Sequence, residues 1–313
     1  MKCRKCGGRG VINLRHHKLV LCKEDFLEWM PEQVQRAIEK YHMFTPQERV
    51  LVAVSGGKDS LSLWDILTRL GYHTDGLYIG LGIDGGVNYS EESLRLTEQF
   101  AQARGLQLHT LKVAEKYGLT VPEIAQRTHH GLTKPCSVCG RIKRHIMNRS
   151  AREGGYDVLV TGHNLDDEAA VLFGNTLNWA AGYLVRQGPV LEANIPGVVR
   201  KVKPLCRIYE REMTAYALLS GIEYIYDECP FAVGATSIYY KELLNRLEAD
   251  HPGAKLNFYL TFLKAKKAGL FSAVADQGRQ NLHPCPTCGQ PTSVDGECAF
   301  CSMIEKVTPK KGE

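Results

Sequence analysis

The stretch Leu51–Ser60 constrains this chain most. Four apolar residues, Leu51-Val52-Ala53-Val54, run straight into Ser55-Gly56-Gly57-Lys58-Asp59-Ser60, and an apolar periodicity (Leu61, Leu63, Trp64, Ile66, Leu67, Leu70) follows at once. The first block reads as a buried strand and the last as a helix. A strand, a glycine turn and a helix N-terminus aim backbone N–H groups and the positive end of a helix dipole at one point, which suits an anion. Lys58 adds a positive charge, and Ser55 and Ser60 add hydroxyl donors. The Walker spacing, Gly-x4-Gly-Lys-Ser/Thr, is absent, so γ-phosphate transfer of that kind is not indicated. An ordinary glycine-rich βα turn is the plainer alternative.

The pattern behind this turn repeats. Strands are expected at 50–54, 74–80, 106–113, 157–161 and 222–226, and helices at 59–70, 90–104, 140–153, 166–177 and 208–220. Repeated βα units of this length predict an α/β fold with a doubly wound parallel sheet and ligands at the C-terminal strand ends. The Ser55–Ser60 turn and Thr161-Gly162-His163-Asn164 both fall at such ends, and Ile79 closes the strand between them, placed to offer backbone contacts to an adenine. Two long connections, 114–135 and roughly 179–204, carry basic residues, among them Arg186, Arg200, Lys201 and Lys203. Connections this long in a compact domain are functional or disordered.

Eleven cysteines on a chain with no secretion signal argue for a reducing, cytoplasmic setting and for metal or redox chemistry. No apolar run approaches the roughly 18 residues of a membrane span. The net charge of +5 is compatible with a polyanionic partner such as tRNA but does not demand one. Cys285-x2-Cys288-x9-Cys298-x2-Cys301 is a strong zinc pattern. Cys3-x2-Cys6 followed by Cys22 fits a second zinc site, with Asp25, His16 or His17 as fourth ligand. The resulting division is a zinc module over 1–27, a linker helix within 28–48 (its periodicity spanning 28–45), and a catalytic domain over 49–235. C-terminal helices over 236–278, breaking at Pro252-Gly253, a zinc module over 279–305 and a basic tail over 306–313 complete it.

Four cysteines remain in the catalytic domain: Cys136, Cys139, Cys206 and Cys229. Cys136 and Cys139 open a helix whose next residues are basic, so a low-pKa pair forming a disulfide or persulfide is one reading. A third zinc held by all four is another, and an iron–sulfur cluster on three of them a further one. Asp166, Asp167 and Glu168, in the first turn of a helix, complement its dipole or hold Mg2+ against a triphosphate. His163 is a structural histidine or a nucleotide contact.

Taken together, Ser55–Ser60, Cys136-Ser137-Val138-Cys139, the run Gly162–Asn175 and two terminal zinc modules resemble the tRNA 2-thiouridine synthetases of the TtuA group of PP-loop ATP pyrophosphatases. The Gly162–Asn175 run is most similar to members that thiolate the ribothymidine at tRNA position 54; the wobble uridine at position 34 is the competing target. A PP-loop enzyme that adenylates without a cluster is the other alternative. The resemblance implies ATP contacts at Ala53, Ser55, Gly56, Gly57, Lys58, Asp59, Ser60, Ile79, Lys143, Gly162, His163 and Asp167, with Mg2+ accompanying the nucleotide. It implies a [4Fe–4S] cluster on Cys136, Cys139 and Cys229, catalytic roles for these cysteines, Lys143 and Asp167, and a buried, uninvolved Cys206. It also implies two zinc ions, on Cys3, Cys6, Cys22 and Asp25 and on Cys285, Cys288, Cys298 and Cys301, although the family tends to carry histidine where this chain has Asp25. A ubiquitin-like sulfur carrier ending in a thiocarboxylate and a homodimer are further implications.

Overall fold

The computed structural model describes residues 1–193, 195–232, 234–272 and 282–308. Its centre is a six-stranded sheet of β3 (Val50–Val54), β4 (Thr74–Gly80), β5 (Leu108–Lys112), β6 (Val158–Thr161), β7 (Val190–Leu191) and β8 (Arg200–Val202), in the order β5-β4-β3-β6-β8-β7. All neighbours pair in parallel except β7, which returns antiparallel on β8 at the edge. Alternation along β3 explains the two-layered covering. Val50, Val52 and Val54 point into one core with Leu61, Trp64 and Tyr216, whereas Leu51 points into another with Leu77, Leu159 and Met147. Burying a side chain of this size contributes about 1.5–3 kcal/mol. The strand order reverses between β3 and β6, so the crevice at their C-terminal ends is the topological switch point where such sheets bind ligands.

Helices α2 (Lys58–Arg69), α3 (Tyr89–Arg104), α7 (Pro135–Glu153), α8 (Leu165–Leu177) and α10 (Glu210–Leu219) flank the sheet. The expected strand over 222–226 does not form. Ile225 instead donates its backbone N–H to the Gly56 carbonyl at 2.9 Å, so this segment buttresses the glycine turn rather than extending the sheet. The 114–135 connection winds into three short helices, α4 (Val113–Tyr117), α5 (Val121–Gln126) and α6 (His129–Thr133). The 179–204 stretch likewise contains α9 (Ala181–Arg186) together with β7 and β8. Helix α7 begins at Pro135, five residues before the expected start, because Pro at a first helical position sacrifices no hydrogen bond.

The first helix, α1 (Lys23–Lys40), starts directly after Cys22 and not at 28, since the Cys22 sulfur caps it by accepting from the Asp25 N–H at 3.4 Å. Ahead of it lies the hairpin of β1 (Ile12–Leu14) and β2 (Leu19–Leu21). After the sheet come α11 (Thr236–Asp250) and α12 (Ala254–Lys267), broken between Asp250 and Ala254 as the Pro252-Gly253 pair requires. The hairpin β9 (His283–Pro284) and β10 (Pro291–Thr292) and helix α13 (Ala299–Val307) close the described chain. The 273–281 junction and residues 309–313 lie outside the described residues; the expected tail over 306–313 is corrected at its start, where Lys306 and Val307 still belong to α13. Among the described residues, no helix is long and apolar enough to cross a membrane.

Candidate active site

Ser55–Ser60 forms the turn between β3 and α2, with Gly57 as N-cap. Gly56 has φ of +75°, and a Cβ there would lie 2.6 Å from the Ser93 carbonyl oxygen of α3, so both backbone hand and space require glycine. The Ser60 hydroxyl accepts from the Ser55 N–H at 3.1 Å and donates to the Gly57 carbonyl at 3.0 Å, fixing the loop from inside. Opposite, Gly162 ends β6; a Cβ there would press at 3.1 Å on the Ser60 backbone, so the two turns meet without a side chain between them.

Helix α8 opens with a capping box: Asp167 accepts from the Asn164 N–H and Asn164 from the Asp167 N–H, both at 3.1 Å. The three acids of this turn part company. Asp166 is buried against Lys255 and also accepts the Glu210 N–H at 2.7 Å. Glu168 is buried against Lys203 at 2.6 Å. Both are therefore structural, and the expectation that all three acids hold Mg2+ is corrected: these two carboxylates are already committed to buried lysines. Asp167 pairs with Lys241 of α11 at 2.6 Å; Lys241 reaches Glu210 at 3.1 Å, and Glu210 holds Lys58 at 2.8 Å. Burial lowers the pKa of Lys58, but Asp59 and Glu210 outweigh it and leave it raised. Burial, with Asp167 and Glu210 nearby, pushes the Asp59 carboxyl up to about 6 against the pull of Lys58. Glu210 and Lys241 carry no sequence signal: one is an ordinary acid in a first helical turn, the other one lysine on a polar helix face.

These turns surround a cavity of about 560 Å3. Ala53, Ser55, Gly57, Asp59, Ser60 and Ile79 line it from one side, and Gly162, His163, Asp167 and Lys143 from the other. Gly56 faces α3, and Lys58 faces a second cavity of about 800 Å3 that shares Gly57, Asp59, Tyr89 and Cys229 with the first. Desolvation within the cleft, reinforced by Lys201 and Lys203, holds the His163 imidazole down at about 4 despite Asp167, so it is neutral at pH 7. Its Nδ1 lies 2.9 Å from the Thr161 hydroxyl. Lys201, which sequence reasoning left as one basic loop residue, also lines the cavity; desolvation, Lys203 and Arg144 lower it to about 8.

Cys139 and Cys229 line the same cavity; Cys136, one turn before Cys139 on α7, is outside its lining, its thiol donating to the Phe231 carbonyl at 2.9 Å. Cys136, Cys139 and Lys143 follow one face of α7 at helical spacing. The thiols of Cys136 and Cys139 are raised by burial, which Lys143 only partly opposes. Burial therefore works against the low-pKa pair expected there. Cys206 is fully buried in the main core, apart from the trio, which excludes a zinc site shared by all four. Three free thiols from two segments, two of them facing the cavity and the third one turn away on α7, form a soft set that fits an iron–sulfur cluster.

The other cysteines gather in two places. Cys3, Cys6, Cys22 and Asp25 have ligand atoms within 4.8 Å of one another, as do Cys285, Cys288, Cys298 and Cys301. Asp25 Oδ2 lies 3.0 Å from Cys3 Sγ and 3.1 Å from Cys22 Sγ. His16 and His17 do not join this set; they face Glu212. The C-terminal module braces α7: Phe300 stacks on His145 at 3.6 Å, and Gln290 donates to the His145 carbonyl at 2.9 Å.

A glycine turn at the switch point and a facing capped acid, with two cysteines in the same cleft, define a nucleotide-binding α/β protein of the PP-loop kind. The PP-loop domain family matches residues 30–231, and the N-terminal LIM domain of 2-thiouridine synthetase TtuA matches residues 2–27. The chain is 48% identical to the tRNA-5-methyluridine(54) 2-sulfurtransferase of Thermus thermophilus over 98% of its length and 92% of that protein's. It is 44% identical to the one from Thermotoga maritima over 100% and 99%. Among solved structures, the U34-tRNA thiolase NcsA from Methanococcus maripaludis, with its [4Fe–4S] cluster, superposes with a TM-score of 0.81 at 25% identity, covering 99% of this chain and 98% of that one. The chain belongs to the TtuA-type family of tRNA 2-sulfurtransferases.

Proposed function

We propose that this protein thiolates C2 of a tRNA uridine in an ATP-dependent reaction, with 5-methyluridine 54 as its target. One observation carries the reading: the glycine turn, Asp167, Lys143 and two of the three free thiols open onto a single cavity. A nucleotide base lies against Ile79 and Ala53, while Ser55–Ser60 and Gly162 offer donors to the phosphates. The uracil C2 oxygen attacks the α-phosphorus, the bond to pyrophosphate breaks, and Lys58 and Lys143 stabilise the charge that grows on the phosphates. Asp167 would hold the Mg2+ that accompanies ATP, in place of its present pairing with Lys241. A sulfur nucleophile then adds at C2, and AMP leaves with the former C2 oxygen. Adenylation thus turns a poor leaving group into a good one.

Cys136, Cys139 and Cys229 would hold a [4Fe–4S] cluster, which supplies one iron without a protein ligand for exogenous sulfide. The chain's own part is to keep that sulfur beside the activated base and to exclude water. The finger sets would each hold a structural Zn2+, Asp25 completing the first. A ubiquitin-like carrier whose thiocarboxylate supplies the sulfide, a homodimer and a cytoplasmic site of action complete the proposal; eleven unpaired cysteines support the last. The position-34 reading is favoured by the likeness to NcsA, but 43–48% identity to position-54 enzymes outweighs it.

Anaerobic purification with ATP, sulfide and tRNA tests the reading. The expected result is a brown protein that releases pyrophosphate only with tRNA present and converts it to the 2-thio form. A colourless protein whose only metal is zinc, yet fully active, would remove the cluster from the account.

A further inference from the structure

His16 and His17, which the sequence offers to the N-terminal finger, gather elsewhere. They occupy a single turn of 3-10 helix (Arg15–His17) between β1 and β2 and meet Glu212, in the first turn of α10. One ligand atom from each of the three lies within 4.8 Å of the other two. His16 Nε2 and Glu212 Oε1 approach to 3.3 Å, with side chains 9% and 1% exposed, yet neither atom has a hydrogen-bond partner. Buried polar atoms left in this way cost stability unless something satisfies them.

A simple ion pair does not supply that something. The 3.3 Å approach does not make a hydrogen bond, and both atoms stay without a partner. A buried imidazole nitrogen and a buried carboxyl oxygen that lack hydrogen-bond partners, with a second imidazole beside them, are instead a ligand set for a transition metal. Arg211 and Lys255 stand near His16 and oppose a cation here, while Asp166 and Glu248 stand near Glu212 and favour one. We propose that His16, His17 and Glu212 form a third metal site, able to take Zn2+, which ties the N-terminal hairpin to α10. The two-nitrogen, one-oxygen set disfavours Mg2+ and Ca2+, which take oxygen ligands. Three protein donors leave a fourth position on a tetrahedral ion, open to water or to a ligand from the 800 Å3 cavity that His16 lines. That cavity reaches Cys229, so the ion would stand on the approach to the thiol trio.

The test is a Zn2+ titration of the full chain with its finger metals in place, read against a chromophoric chelator and by metal analysis after desalting. His17 is exposed, so His17→Ala should fold as the parent does; Glu212→Gln keeps an oxygen for the Tyr209 N–H it now accepts at 3.0 Å. Zinc taken by Cys136, Cys139 and Cys229 is common to all three proteins and cancels in the difference. The expected result is one more tightly held Zn2+ per chain in the parent than in either variant, with affinity falling at least 100-fold. Added Zn2+ should raise the melting temperature of the parent only. Equal zinc content and equal thermal response in all three proteins would overturn the proposal.

Discussion

Replacing Asp59 by asparagine should stabilise the protein while disabling it. The Asp59 side chain is 22% exposed and lies 3.4 Å from Lys58, with Asn164 donating to it at 3.3 Å. Burial raises its carboxyl from 3.8 to about 6. The native value lies above the unfolded one, so the native state binds the proton more tightly. Stability is then fully present below the unfolded value and is lost as pH rises through the native one. At about 1.4 kcal/mol per pH unit, ionised Asp59 costs the fold about 3 kcal/mol above pH 6. Asparagine keeps the hydrogen bond from Asn164 and carries no charge. In urea unfolding of the zinc-loaded, cluster-free chain, Asp59→Asn should therefore exceed the parent by about 3 kcal/mol near pH 7.5 and by about 1.6 kcal/mol near pH 5. Its ATP-dependent turnover should fall by roughly 100-fold, because the carboxylate faces the phosphate cradle. A variant less stable than the parent at pH 7.5, or a difference that does not change with pH, would refute this reasoning.

Other consequences can be measured alongside. Gly56→Ala must adopt a left-handed backbone and meet Ser93, so it should lose about 2–4 kcal/mol in denaturation and bind ATP weakly by calorimetry. Cys229→Ala should lose the visible absorbance of a cluster and all thiolation while keeping its zinc content and circular dichroism. Lys241→Met, which frees Asp167 and Glu210 from their shared cation, should raise KM for ATP about 10-fold or more with little change in melting temperature; an unchanged KM would make Lys241 incidental. Phe300→Ala removes the stack on His145 and should cost about 3–5 kcal/mol, with faster cluster loss as α7 loosens.

What could be read beforehand follows physical lines. The strands over 50–54 and 74–80 match β3 and β4 because continuous apolar runs bounded by turns have one stable outcome in a covered sheet. The fingers were legible because ligand spacing is local. The segment 222–226 has the composition of a strand, but its place beside Gly56 depends on tertiary contacts that no local pattern reports. The division of labour among Asp166, Asp167 and Glu168 was hidden for the same reason: Lys255, Lys203 and Lys241 arrive from distant segments. The raised thiols of Cys136 and Cys139 were misjudged because burial cannot be weighed against a helix dipole until the neighbours are known.

The central claim is that the cleft activates and thiolates the base at tRNA position 54. Nucleoside mass spectrometry of bulk tRNA from a strain lacking this protein, with and without complementation, tests it most directly. The account predicts loss of 2-thiolated ribothymidine, intact wobble 2-thiouridine, and recovery with the parent protein but not with Lys143→Ala or Asp167→Asn. Intact thiolated ribothymidine alongside loss of the wobble modification would contradict it.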